Sequence, residues 1–226
     1  MLDLHRSTHR RGFLGTLAAS AAIGITSLAK PFRVNAQTKG SSPSTNAEFE
    51  AWLNKIKGTH RQVFDAPGHN GGMPLAWSRV FLMTNSQVGV ADNDLTAVLV
   101  LRHEAIPLAM GHSLWPKYKF GEVFKLTDKA TNAPAVRNPF YQPKEGELPL
   151  PGMAIEDLMK SGALICVCDM AITFYSMHVA KDMKMEAAEV KKDWIAGVLP
   201  GIQIVPSGVL AVNRAQEHGC TYCFAG

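Results

Sequence analysis

Residues 162–175, GALICVCDMAITFY, set a short apolar run directly against a helical one. Ala163 to Cys168 carries no charge, as expected for a strand buried on both faces. Beyond it, Ala171, Phe174, Tyr175 and His178 recur at helical spacing, which predicts a helix with those four on one face. Asp169 stands at the junction as the expected cap. A buried strand feeding straight into a helix is the unit from which parallel sheets are built, because parallel neighbours need a crossover.

The unit recurs outward from this point. Toward the C-terminus, Met185–Val198 reads as a helix and Ile202–Val205 as a strand. Ser207 caps a helix running to His218, Gly219 ends it, and Thr221–Phe224 is a last strand. Toward the N-terminus, Ala47–Lys57 places Phe49, Trp52, Leu53 and Ile56 on one helical face. A strand at Arg61–Phe64 leads into the glycine-rich turn 68–72, and Pro74 opens a helix reaching Ser86. Leu95–Leu101 (LTAVLVL) is a second buried strand, followed by a short helix at Pro107–Leu114. Residues 127–151 hold Pro134, Pro139, Pro143, Pro149 and Pro151 and predict a long excursion without regular structure. Such loops serve as lids, binding loops or oligomer contacts. Met153–Lys160 closes the excursion with a helix. This alternation predicts an α/β three-layer sandwich around a mainly parallel sheet of about five strands.

The first residues follow other rules. Arg10-Arg11 precede Gly12-Phe13-Leu14, and a weakly apolar run extends to Leu28. That run is shorter than the ~20 apolar residues a membrane-spanning helix needs. Val34-Asn35-Ala36 offers a small-residue cleavage site. The segment resembles a twin-arginine export signal. It implies a signal peptide over 1–36, a flexible Ser/Thr/Pro-rich linker over 37–46 and a domain over 47–226. The twin-arginine machinery would then be a partner, the location periplasmic, and no membrane span would persist after processing. Residues 1–36 carry five of the basic side chains and one acid, a net of +4 that equals the whole-chain excess. The remainder is near neutral, which argues against nucleic acid as a partner.

Candidate chemistry is expected at the carboxyl ends of the strands, where parallel sheets bind ligands. That rule selects His69, the run Arg102, His103 and Glu104, the thiol Cys168, and Ser207. Cys168 meets a helix N-terminus, which favours thiolate, while Asp169 beside it opposes that. Reactive thiol, inert packing and metal ligation all stay open for it. Cys166 shares its strand face by alternation and reads as a small buried hydrophobe or as a partner of Cys168. His69 in its glycine turn suits an anion, and His103 suits acid–base work or ligand binding. Cys220 and Cys223 form a CxxC entering the last strand, read as a redox pair or local disulfide. One CxxC is too little for zinc, so no metal or other cofactor is assigned.

The segments GALICVCDMAI and LPGIQIVPSGVLAVNRAQEHGCTY, within 155–224, resemble the DsrE/DsrF-like sulfur-relay family. There a strand ends in a cysteine, and a Pro-Gly turn, a strand closing in Val-Pro-Ser-Gly and a Gln-containing helix follow. The resemblance implies a compact, usually homo-oligomeric layer sandwich whose strand-to-helix cysteine, Cys168 here, passes persulfide sulfur. Two readings follow: an exported sulfur-handling or thiol-redox protein, or a non-catalytic periplasmic module for a small ligand or metal. Whether the chain is an enzyme is left open.

Overall fold

The computed structural model describes residues 46–226. The expected signal peptide and all of the expected linker but Asn46 lie outside the described residues. Five strands, β1 (His60–Gly68), β2 (Leu95–Glu104), β3 (Leu164–Cys168), β4 (Gln203–Val205) and β5 (Thr221–Phe224), form one sheet. Every pairing is parallel, and the order is β4-β3-β2-β1-β5. The central β2 is buried without a break from Leu95 to Leu101, as its uninterrupted apolar sequence requires.

Side chains alternate between two layers. On one face Val63, Val98, Val100, Cys166 and Val205 pack under Phe49, Trp52 and Leu53 of α1 (Asn46–Leu53) and Ala211 and Ala215 of α8 (Gly208–Glu217). On the other, Phe64, Leu99, Leu101, Ile165 and Val167 meet a thicker layer. That layer contains α2 (Met73–Gln87), α3 (Leu114–Tyr118), α4 (Phe120–Val123), α5 (Ile155–Lys160), α6 (Asp169–Met183) and α7 (Ala187–Ala196). The protein is an α/β three-layer sandwich. No helix among the described residues is long and apolar enough to cross a membrane.

Local departures from the sequence reading have physical causes. β1 runs to Gly68, four residues beyond Phe64, because the ladder absorbs Asp65 and slips register between Ala66 and Gly68, around Pro67. The short helix expected at Pro107–Leu114 is instead a 3₁₀ turn, Ile106–Ala109, followed by α3 and α4. Lys119 in the left-handed region (φ 52°) separates those two helices. α6 begins at Asp169 itself, so its cap is Cys168, not Asp169. Its buried residues are Asp169, Ala171, Ile172, Ser176, Val179 and Ala180, whereas Phe174 and His178 face solvent. Apolar residues lie all round this helix, so hydrophobicity alone did not mark its inner side.

The 127–151 excursion contains no helix or strand, yet it is tied down. Asn138 is fully buried, and its Nδ2 donates to the carbonyls of Leu108 (2.8 Å) and Met110 (3.0 Å). Its Oδ1 accepts the Phe140 N–H at 3.0 Å. The Phe140 ring lies on Gly72 so closely that a Cβ there would come within 2.1 Å of it. Gly72 also has φ +88°, so glycine is required twice over.

Candidate functional site at the mouth of the sheet

The chain leaves β1, β2 and β3 into the thicker layer but leaves β4 into α8 on the opposite face. β3 and β4 are neighbours, with Cys168 opposite Val205. Their carboxyl ends therefore form the switch point where open parallel sheets accept ligands. Two helices start there. Cys168 caps α6 through its sulfur, with the Ala171 N–H donating to Sγ at 3.3 Å. Ser207 caps α8, its Oγ accepting the Leu210 N–H at 3.1 Å. A sulfur in a capping position receives a backbone N–H and faces the positive end of the helix dipole. Cys168 is buried, 6% exposed, at the carboxyl end of β3.

A polar row continues from Cys168 across the sheet. Arg102 of β2 donates from Nε and Nη2 to the two oxygens of Asp65 on β1, at 2.6 and 3.0 Å. The Tyr222 hydroxyl of β5 donates to the same Asp65 Oδ2 at 2.9 Å. These hydrogen bonds to Asp65 raise the Arg102 pKa, and the nearby Cys168 sulfur adds to the effect. Gly208, the first residue of α8, lies flat on the arginine stem, where a Cβ would come 2.6 Å from Arg102 Cβ. The guanidinium is thus fixed in direction by a carboxylate and roofed by a helix start. Burial, and then the bond to Asp65, raises the Tyr222 pKa, so its phenol stays a donor.

The other predicted residues stand in different settings. Cys166 is fully buried in the α1/α8 core, and burial pushes its thiol far up, so it holds its proton. Cys168, bent into its capping role, lies among residues of the opposite core. His103 (φ 49°) turns at the end of β2, exposed, with its ring edge-to-face against Tyr175 at 5.6 Å. Glu104 is exposed beside it, and burial followed by that carboxylate raises the Tyr175 pKa. His69 Nδ1 accepts the Gly71 N–H at 3.2 Å, while Nε2 lies 2.8 Å from the Phe124 carbonyl. A ring that accepts at Nδ1 and donates at Nε2 has both nitrogens engaged. Cys220 and Cys223 are free thiols on different cores, Cys220 with the α1/α8 cluster and Cys223 against the thicker layer. Burial raises both, Cys220 to about 11.

One member of the site escaped the sequence, and another was given the wrong role. Tyr222 looked like a spacer inside the CxxC, and only the pairing of β5 with β1 carries it to Asp65. Asp169, taken as a cap, is instead buried and paired with Lys191 Nζ of α7 at 2.9 Å, leaving Oδ1 without a partner. Among the described residues, no three His, Cys, Asp or Glu side chains converge as a metal site requires. The chain matches no family model and no curated protein.

Proposed function

We propose that this is a sulfur-handling protein in which Cys168 carries sulfane sulfur as a persulfide. The observation that carries the reading is the capping hydrogen bond from Ala171 to the Cys168 sulfur, at the switch point and beside Arg102. In the transfer the Cys168 thiolate bonds to a sulfane sulfur of an inorganic polysulfide. The donor S–S bond breaks, and its electron pair leaves with the shortened polysulfide. The product is an anionic persulfide, and no outside oxidant or reductant enters. Arg102 and the α6 start present a positive charge and a backbone N–H to the anionic product. Cys166, protonated and sealed, takes no part in this conformation.

The reading agrees with the likeness of 155–224 to the DsrE/DsrF-like family. Alongside it we place twin-arginine export to the periplasm and homo-oligomerisation. Incubation with polysulfide followed by mass spectrometry tests the proposal. One added sulfur on Cys168, lost in Cys168→Ser and kept in Cys166→Ser, supports it; an unmodified Cys168 overturns it. The second reading, a small-ligand module, is favoured by a cavity away from the sheet mouth.

A further inference from the structure

A cavity of about 140 Å³ opens between the glycine turn after β1 and the proline-rich excursion, and none of the sheet-mouth residues lines it. Its size is close to the ~150 Å³ apolar cavity that holds a benzene molecule. Leu126, Phe140 and Leu148 supply an apolar lining, with Leu126 and Phe140 buried. Lys125 and Lys129 stand at its edge, both exposed.

The charges around it are unequal in what they are free to do. Asp128 Oδ1 is occupied by the N–H groups of Ala130 (2.9 Å) and Thr131 (3.1 Å), and those bonds hold its pKa down. Glu147 pairs with Arg137 and accepts the Lys144 N–H at 2.7 Å, so its pKa is also lowered. Both carboxylates therefore remain ionised and committed to the fold of the loop. Among the described residues, the ammonium groups of Lys125 and Lys129 make no ion pair or hydrogen bond. The cavity thus presents an apolar interior and two uncommitted cations.

Its walls are fastened together. His69 receives the Gly71 N–H on one side and bonds the Phe124 carbonyl on the other, one residue before Lys125. Gly71 (φ 60°) and Lys125 (φ 54°) both hold left-handed backbone, and for Lys125 that conformation is uncommon.

We infer that this cavity binds a small amphipathic anion, a carboxylate or sulfonate on a compact hydrocarbon or aromatic body, with the body on Leu126 and Phe140 and the anion between Lys125 and Lys129. The site is independent of Cys168. Benzoate is the probe, followed by amide chemical-shift changes in the folded protein, with benzyl alcohol as the uncharged arm and inorganic phosphate as the charge-only arm. Saturable millimolar benzoate shifts at Gly71, Leu126 and Phe140, with weaker effects from both other probes, are the expected result. Lys125→Gln/Lys129→Gln should weaken benzoate about tenfold, the equivalent of ~1.4 kcal/mol, without altering the thermal transition, and Cys168→Ser should leave it unchanged. Absence of benzoate shifts, equal binding of benzyl alcohol, or undiminished affinity in the double variant each overturns the inference and leaves the persulfide proposal standing.

Discussion

Arg102 grips Asp65 through two N–H···O bonds, one to each carboxylate oxygen, across neighbouring strands, and the pair is mostly buried, with side-chain exposures of 28% and 7%. Such a fork fixes the direction as well as the place of a positive charge. The guanidinium is consequently a built part of the sheet mouth, not a mobile surface cation.

Its removal should therefore be felt at the thiol. In Arg102→Met, alkylation of Cys168 by iodoacetamide at neutral pH is expected to slow several-fold, with Arg102→Lys restoring part of the rate. Stopped-time mass spectrometry of the alkylated protein gives the rates. An unchanged rate in Arg102→Met would show that the helix start alone sets the reactivity.

The carboxylate should matter more to stability. Breaking a fully buried ion pair costs ~3–5 kcal/mol, and the partial exposure of Arg102 reduces this to about 2 kcal/mol for Asp65→Ala. Tyr222→Phe removes one hydrogen bond to a charged group and should cost about 1.5 kcal/mol. Urea unfolding of both single variants and the double variant measures the terms. The double variant should lose less than the two together, since both act on one carboxylate.

Asn138→Ala should release the proline-rich excursion. It leaves the Phe140 N–H and the Leu108 carbonyl short of a buried partner, while the Met110 carbonyl keeps the Trp115 indole N–H, at about 1–3 kcal/mol. Limited proteolysis should then cut within 127–151 well before the rest of the domain, and the wild-type loop should resist under the same conditions.

Burial also makes a prediction about alkali. Cys220 is raised to about 11 in the folded state, above the ~8.5 of a free thiol. Between those values the unfolded chain loses its proton while the folded chain keeps it, so the unfolded state gains. The contribution of Cys220 is complete below about pH 8.5 and is lost as pH rises through about 11. Cys220→Val should flatten that part of the stability profile in chemical denaturation. An identical slope in the variant would mean that other groups cause it.

Much of this architecture was legible because strand and helix follow each other with clean boundaries. Ser207 with Gly208, and Gly219 after the last helix, mark α8 correctly at both ends. The junction at Cys168 was read to within one residue, but the capping atom was misassigned, since serine and aspartate, not cysteine, are the usual caps. The inner face of α6 was misread because Met170, Phe174 and Met177 remain exposed. The link from Tyr222 to Asp65 spans 157 positions and exists only through sheet order, which local pattern does not encode. Likewise, nothing in a proline-rich stretch announces that Asn138 will be its anchor.

The row Tyr222, Asp65, Arg102 and Cys168 draws one member from each of four adjoining strands. Sliding any one of them by a single residue would turn its contributor to the opposite layer. Half-assembled intermediates therefore lack the complete row, which forms only when the last of these strands has paired.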